Sequence, residues 1–135
     1  MERGTKPTTA KGPSDWFTGD VYIDAVAEAH GDSPAMVAFV HFTPGARTAW
    51  HSHSIGQSLY VTEGEGRVQA RGEPIVTLRP GDTVFAPGGE WHWHGAAADG
   101  ILGDELNEGR IFKVVFALEA DVLMDEFGML IEPCA

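Results

Sequence analysis

The sequence predicts an all-β fold, either a barrel or a sandwich, built from many short strands. Apolar and alternating segments recur at spacings of about 8–12 residues, with clusters of glycine and proline between them. The chain contains 17 glycines and 8 prolines, and almost no segment shows a clear helical period. Its 135 residues have the length of one domain, which buries roughly two-thirds of its unfolded surface.

The predicted elements follow a polar N-terminal segment. Residues 1–15 are rich in Gly, Pro, Ser and Thr, which predicts a flexible arm or a segment exchanged with a partner subunit; residues 16–135 form the single domain. Segment 36–42 is apolar on both faces, which predicts a strand covered on both sides. Residues 96–109 are predicted as a loop, and 120–131 as a short helix or a further strand. The other predicted strands are 21–23, 58–62, 67–71, 74–78, 83–86, 92–95 and 110–118.

Turn residues separate these strands. Proline fixes φ near the value that a turn needs, and glycine accepts the positive φ that other residues avoid. The turns are predicted at PG in 44–45, EGEG in 63–66, RPGD in 79–82 and PGG in 87–89. The EGEG turn is typical of a hairpin loop.

Composition and charge exclude several classes of partner. Nine Lys and Arg against 20 Asp and Glu give a formal net charge of −11, which argues against binding to nucleic acid or to an anionic membrane. The apolar runs are too short to cross a bilayer, and no signal peptide is predicted. Cys134 is the single cysteine, so no disulfide can form within a chain. These features predict a cytoplasmic protein whose partner is a small molecule.

The first candidate site is the segment 45–64, GARTAWHSHSIGQSLYVTEG. His51 and His53 stand at i and i+2, so in a strand both imidazoles point to the same face. Gln57 follows a turn and can add an oxygen ligand from the start of the next strand. Imidazole nitrogens with a carbonyl oxygen suit a borderline divalent ion such as Mn, Fe, Co, Ni or Zn. The segment therefore predicts part of a metal site.

A second histidine pair lies in the segment 81–96, GDTVFAPGGEWHWHGA. His92 and His94 again stand at i and i+2 on one predicted strand. By this parity His94 points inward, where it acts either as a general base or as a hydrogen-bonded residue of the wall. His30 and His41 lie outside both segments, and no role is predicted for them.

Together the two segments resemble the two motifs of the cupin family. The first motif, with spacers of five, one, three and six residues, consists of Gly45, His51, His53, Gln57 and Gly64. The second, with spacers of five, one, two and three residues, consists of Gly81, Pro87, Gly89, His92 and Ala96. The resemblance implies a double-stranded β-helix, that is a jelly-roll barrel. It also implies one divalent transition metal per chain, with the ligands His51, His53, Gln57 and His92.

Two positions depart from the family pattern. Gln57 stands where the family usually has glutamate, and Ala96 where it usually has asparagine. Three neutral histidines and a neutral amide leave the full charge on a divalent ion, which a carboxylate would reduce. The site is therefore expected to be a stronger Lewis acid, with more affinity for anions and a looser hold on its metal.

The runs 44–53, 56–57 and 92–97 are similar to those of small bacterial single-domain cupins, several of which are manganese-dependent hydroxynitrile lyases. This resemblance implies a manganese ion, with Fe, Ni, Zn and Co as alternatives, that stabilises the developing alkoxide of a small aromatic or aliphatic cyanohydrin. His94 is the base or proton carrier in that reaction. Those lyases carry His or Gln on the last inward-facing strand, where this sequence has Phe112, Val114, Phe116 and Leu118.

Seven residues are predicted to line the substrate pocket. Arg47 shares strand parity with His51, whereas a bulge before His51 would bring Thr48 to the pocket instead. The apolar pocket residues, on segments 36–42 and 110–118, are Ala38, Val40, Val114, Phe116 and Leu118.

Two other functions remain open. Iron or manganese on three histidines with open positions can bind an enolate-type substrate together with O₂, so a metal-dependent dioxygenase is the first alternative. The second is a non-catalytic cupin that binds a small apolar ligand. Oxygen consumption, cyanide release and ligand binding without turnover distinguish the three.

A homodimer, or a higher homo-oligomer, is predicted from the apolar surface outside the barrel. Segment 36–42 is apolar on both faces, and one barrel has only one interior. Trp50 and Trp93 alternate with the histidines and so fall on the non-metal face. A second copy of the chain would cover this outer surface.

Overall fold

The computed structural model describes residues 1, 3–5, 8–27, 30, 32–98, 111–119 and 129–131. Their regular elements are strands, and no helix occurs among them, which confirms the predicted all-β class. In the described part of the chain no helix is long and apolar enough to cross a membrane. The strands are β1 (Ala10–Lys11), β2 (Phe17–Thr18), β3 (Val21–Ala27), β4 (Ala35–Phe42), β5 (Arg47–Thr48), β6 (His51–His53), β7 (Gln57–Glu63), β8 (Gly66–Ala70), β9 (Val76–Leu78), β10 (Thr83–Ala86), β11 (His92–Ala96), β12 (Phe112–Glu119) and β13 (Met129–Ile131).

Six strands form the first sheet, in the order β1-β3-β4-β12-β7-β10, with every neighbouring pair antiparallel. The apolar strand β4 lies between β3 and β12. Its inward residues Val40 and Phe42 are buried, but the outward Phe39 is 37% exposed. The prediction that this strand is covered on both sides is therefore wrong within one chain.

The second sheet is centred on β11. This strand pairs with β8 along one edge and with both β5 and β6 along the other. Beyond them, β9 pairs with β8, β2 with β5, and β13 with β6. Ala49 and Trp50 separate β5 from β6. The N–H of Ala49 donates to the carbonyl of Trp16 at 2.7 Å, which fixes the backbone at this interruption.

The core lies between the two sheets. Phe42 is at its centre, in ring contact with Phe17 and Phe112 at centroid distances of 6.1 and 5.8 Å. The hairpin from β7 to β8 closes over it at Gly64, whose φ is 78° and where an added Cβ would lie 2.5 Å from the carbonyl oxygen of Ile111. The buried cluster consists of Phe17, Val21, Val40, Phe42, Ala46, Val61, Leu78, Ala96, Phe112 and Val114.

Several boundaries differ from the predicted ones. Strand β3 runs to Ala27 instead of ending at residue 23, and Ala96 belongs to β11 instead of the following loop. Met129–Ile131 form a strand, as one of the two predictions for this region had it, whereas residues 99–110 and 120–128 lie outside the described chain. At the N-terminus Ala10–Lys11 pair with β3 of the same chain. The division into an arm and a domain at residue 15 stays a prediction.

Candidate metal centre

Two adjacent strands bring three histidines together. In the antiparallel pair of β6 and β11, His92 lies directly opposite His51, and alternation along β6 places His53 on the same face. The ring centroid of His51 lies 5.0 Å from that of His53 and 4.4 Å from that of His92. One ring nitrogen from each histidine lies within 4.8 Å of the other two, and all three side chains are buried. The structure therefore assembles the predicted histidine cluster.

Backbone carbonyls orient two of these rings. Nδ1 of His51 lies 2.9 Å from the carbonyl oxygen of Ala49, and Nδ1 of His92 lies 3.0 Å from that of Glu90. A carbonyl oxygen only accepts, so each Nδ1 carries the proton and donates it. In a neutral ring Nε2 then holds the lone pair, and this is the arrangement of a metal-ligating histidine with its supporting hydrogen bond.

Gln57 approaches the histidines from the first sheet. It begins β7, its side chain is 2% exposed, and its Oε1 lies 3.3 Å from Nε2 of His92. Since Nδ1 of His92 is the donor, both facing atoms are acceptors, and a cation between two acceptors relieves their repulsion. Imidazole nitrogens and a carbonyl oxygen are suitable donors for a divalent transition metal. The predicted ligand residues therefore fit such an ion.

Burial keeps His51 and His92 neutral. It lowers the pKa of His51 to about 3, with a smaller contribution from the neighbouring His92. Burial also lowers the pKa of His92. At neutral pH both imidazoles are therefore unprotonated, which is the state that can ligate a metal.

His94 lies beside the cluster on the same face of β11. Its side chain is 1% exposed, and its ring lies between Phe42 and Phe116 at centroid distances of 5.9 and 5.0 Å. Within the described chain neither of its ring nitrogens has a hydrogen-bond partner. Burial, and then the neighbouring histidines, hold its pKa well below the usual value, so His94 is neutral.

One cavity is lined by His51, His53, Gln57 and His94, whereas His92 lines a second cavity. The first has a volume of about 690 Å³, including the part that is open to solvent, and the polar side chains in its lining are Thr48, His51, His53, Gln57 and His94. The apolar remainder of the lining comes from Trp16, Phe17, Ile23, Ala25, Ala27, Met36, Val37, Ala38, Val40, Ala49 and Phe116. Among the described residues of this lining none is charged, and these residues therefore suit a neutral ligand with one polar end.

The sequence is similar to that of known proteins over the region that carries the four clustered histidines. The cupin domain family matches residues 38–102. An (R)-mandelonitrile lyase of Granulicella tundricola is 50% identical over 99 residues, which cover 72% of this chain and 74% of the relative. The chain belongs to the cupin family. The predicted jelly-roll class is thereby confirmed together with the family.

Solved cupin structures share the fold over most of the chain. A cupin-like protein of Thermotoga maritima is 33% identical, with a TM-score of 0.69 and coverage of 93% of both chains. An acetylacetone dioxygenase of Acinetobacter johnsonii has a TM-score of 0.67 at 13% identity and covers 89% of this cupin and 75% of its own chain. At that identity the second likeness concerns the fold alone.

Thr48, and not Arg47, reaches the cavity. The guanidinium of Arg47 lies on the outside of this cupin, with its Cζ 5.4 Å from the centroid of Trp93. Thr48 lines the cavity, and its Oγ1 accepts the backbone N–H of His94 at 3.1 Å. The break at Ala49 between β5 and β6 changes the parity that would have placed Arg47 beside His51. The geometry thus agrees with the alternative that named Thr48 and not with Arg47, while a substrate-binding role for Thr48 stays a prediction.

The predicted apolar residues divide into two groups. Ala38, Val40 and Phe116 line the cavity. Val114 is fully buried in the core and is not part of the lining, which corrects its prediction as a pocket residue. Leu118 pairs with Gln57 through its backbone, and its side chain lies outside the described part of the structure.

Most of the lining residues that sequence reasoning missed come from the N-terminal part of this cupin. A signal was present in β3, where Val21, Ile23 and Ala25 alternate with more polar neighbours. Trp16 and Phe17 carried no comparable signal, because their position depends on pairing between Phe17 and Thr48, which are distant in sequence. Trp16 and Phe17 therefore reach the cavity through long-range contacts that no local pattern predicts.

Proposed function

We propose that this cupin is a metal-dependent lyase that cleaves a small hydroxynitrile into a carbonyl compound and cyanide. The observation that carries the proposal is the presence of His94, buried and neutral, in the same largely apolar cavity as His51 and His53 of the three-histidine cluster. Sequence identity of 50% to an (R)-mandelonitrile lyase supports the reaction class. The cavity lining supports a neutral substrate with one polar end.

The proposed cofactor is one divalent ion per chain, manganese in preference to Fe, Ni, Zn or Co. His51, His53, His92 and Gln57 would hold it, since they present neutral nitrogen and oxygen donors within reach of one another. When bound, such an ion supplies Lewis acidity, which stabilises negative charge developing on a substrate oxygen. Because these donors are neutral, they leave the positive charge of the ion uncompensated.

His94 is the proposed proton carrier. A neutral imidazole accepts the hydroxyl proton of the cyanohydrin as its carbon–carbon bond to cyanide breaks. Burial lowers the pKa of His94, so the protonated ring is a strong donor and passes the proton on to the departing cyanide. Thr48 supports this step by fixing the backbone of His94 through its hydroxyl oxygen. The apolar wall excludes water that would compete for the proton.

The test compares metal content, cyanide release and oxygen uptake on one preparation. Parent protein loaded with manganese is expected to release cyanide from mandelonitrile at the same rate under air and under nitrogen. His94→Gln should keep the metal and lose about two to four orders of magnitude in turnover, the usual contribution of general acid–base catalysis. His30→Gln, at an exposed position outside the cavity, should match the parent.

Three results would contradict the proposal. Absence of cyanide release from fully loaded parent protein would refute the lyase reaction. Cleavage that requires oxygen would favour the dioxygenase alternative. Undiminished metal content in His51→Ala protein would refute the ligand assignment.

A further inference from the structure

One arginine contacts the two segments from which the strands of the histidine cluster start. The guanidinium of Arg71 lies over the indole of Trp50, with its Cζ 4.9 Å from the ring centroid, and over that of Trp91 at 5.1 Å. Both distances are those of a cation–π contact. Arg71 follows β8, whereas Trp50 directly precedes β6 and Trp91 directly precedes β11. These three residues, here called the clamp, therefore join the starts of two strands from outside the cavity.

Each tryptophan of the clamp stands directly before a histidine of the cluster, in the segments AWH at 49–51 and EWH at 90–92. In both segments the carbonyl of the first residue accepts the Nδ1–H of the histidine, at 2.9 Å for His51 and at 3.0 Å for His92. That carbonyl belongs to the planar peptide group whose nitrogen is the tryptophan's own. The orientation of each imidazole is therefore tied to the position of the tryptophan before it.

The clamp couples these two orientations. Arg71 is attached to one segment through its backbone, because its N–H donates to the carbonyl of Trp91 at 2.9 Å. Antiparallel pairing places His51 directly opposite His92, with ring centroids 4.4 Å apart. A metal site needs the lone pairs of its ligands directed at one point, and groups behind the ligands supply this orientation. Contact of both indoles with one guanidinium provides such a support for two rings at once.

We infer that Arg71 is a positioning residue, which acts through the two tryptophans and holds the imidazoles of His51 and His92 in the orientation that binds a divalent ion. Arg71 contributes no ligand atom of its own. The inference rests on the proposed function for the set of ligands but not for the reaction, since metal binding is measured without turnover. A planar guanidinium is required, because an ammonium group lacks the flat surface that stacks on an indole.

Metal affinity is the first test, measured by competition with a chelator. Arg71→Ala should weaken the binding of manganese by about 3- to 10-fold in Kd, the scale of one or two cation–π contacts. Arg71→Lys keeps the charge and should recover only part of the loss. Arg47→Ala is the matched control. It removes a contact of the same kind, over Trp93 at 5.4 Å, that involves neither tryptophan of the clamp, and it should keep the parent's Kd.

The second test needs no metal. In metal-free parent protein the Nδ1–H protons of His51 and His92 should give NMR signals that are protected from exchange with water, because each proton is donated to a carbonyl and both rings are buried. In Arg71→Ala these two signals should weaken or disappear while the backbone spectrum stays that of a folded protein. In Arg47→Ala they should remain. A role of Arg71 in stability alone would lower the urea midpoint and leave both signals in place.

An unchanged Kd in Arg71→Ala, or unchanged Nδ1–H signals, would overturn the inference. Equal losses in Arg47→Ala would do the same. If Arg71→Ala does not fold, Arg71→Lys replaces it, and binding of manganese by this variant as tight as by the parent would refute the clamp. Parent protein that binds no manganese would refute the proposed metal centre and this inference with it. Protein that binds manganese through the clamp and releases no cyanide would refute only the lyase.

Discussion

At the scale of single residues, Gln57 determines the charge of the proposed metal centre. Its amide oxygen faces Nε2 of His92 at 3.3 Å, and no carboxylate lies among the cavity residues that the structure describes. Gln57→Glu adds one negative charge at nearly constant shape. We expect tighter retention of manganese, weaker binding of azide, and a turnover lower by roughly 10- to 100-fold, which corresponds to about 1.4–2.8 kcal/mol of barrier. Metal release to a chelator, azide titration and cyanide release measure the three effects.

Gln69→Glu is the matched control for this change. Gln69 lies on β8, outside the cavity, where its Oε1 accepts the indole N–H of Trp93 at 2.8 Å. The same added charge there should leave azide affinity and metal retention as in the parent. Azide affinity that is unchanged by Gln57→Glu at full metal occupancy would mean that Gln57 does not contact the ion, and its assignment as a ligand would be withdrawn.

His51 determines a further prediction, the pH dependence of the metal-free protein. Burial lowers its pKa to about 3, while the unfolded chain has the ordinary value near 6.5. Between these values the unfolded state binds a proton that the folded state does not, so the free energy of unfolding falls as the pH falls. From pH 7 to pH 5 the loss due to His51 is about 2 kcal/mol. Urea unfolding at both pH values measures it.

Substitution separates this effect from the other titrating groups. His51→Gln removes the titrating ring and should reduce the pH-dependent loss by about 2 kcal/mol. His30→Gln, on the exposed surface, should keep the loss of the parent protein. A parent protein with the same unfolding free energy at pH 5 and pH 7 would contradict the low pKa of His51.

At the scale of strands, β11 pairs with both β5 and β6, and this pairing fixes the positions of Thr48 and His51 relative to His92 and His94. Gly95 on this strand faces the backbone of β5, where an added Cβ would lie 2.5 Å from Cβ of Arg47 and in contact with the carbonyl of Ala46. Backbone atoms of a paired strand cannot give way as a flexible side chain does. Gly95→Ala should therefore cost about 1–3 kcal/mol of stability, which a lowered urea midpoint would show. Since His94 precedes this position, metal content should be kept while turnover falls.

Gly4→Ala provides the comparison, because an added Cβ there meets nothing within 4 Å. This variant should unfold at the midpoint of the parent protein. If Gly95→Ala also unfolds at the parent's midpoint, β5 and β11 are less tightly paired than the structure has them.

The extent to which the sequence predicted this site follows from the range of the interactions. Alternation is local, so the i and i+2 pairs of β6 and β11 could be predicted with their facing direction. The break between β5 and β6 depends on Ala49 bonding to the distant Trp16, so Thr48 could be named only as an alternative to Arg47. The position of Trp16 depends on the same long-range pairing and could not be predicted. The cytoplasmic location and the oligomeric state stay predictions.

At the scale of the whole molecule, the outer face of the first sheet exposes several large apolar side chains. Phe39, Val115 and Tyr60 lie in one row across β4, β12 and β7, on the side of the first sheet that faces away from the core. Phe39 is 37% and Tyr60 47% exposed, and Phe85 on the neighbouring β10 is 67% exposed. By contrast Trp93, on the outside of the second sheet, is already 92% covered by its own chain, as its 8% exposure shows. The surface that needs a cover is therefore on the first sheet.

We expect this row to be the interface of a homodimer. Phe39, Val115 and Tyr60 are uncharged, and Asp24, which continues the row on β3, is only 13% exposed, so two copies of a chain with net charge −11 can approach there with little repulsion. In a dimer with a two-fold axis, each residue of the row occurs twice in the interface, once from each copy.

Tyr60→Glu would then place two carboxylates in one apolar contact, and dissociation into monomers is the expected result. Light scattering at micromolar concentration should give twice the chain mass of 14.5 kDa for the parent and the chain mass for this variant. Val76→Glu, at a 53% exposed apolar position on β9 of the other sheet, should remain dimeric. A parent mass near 14.5 kDa would refute the dimer, and a dimeric Tyr60→Glu would move the interface to another face.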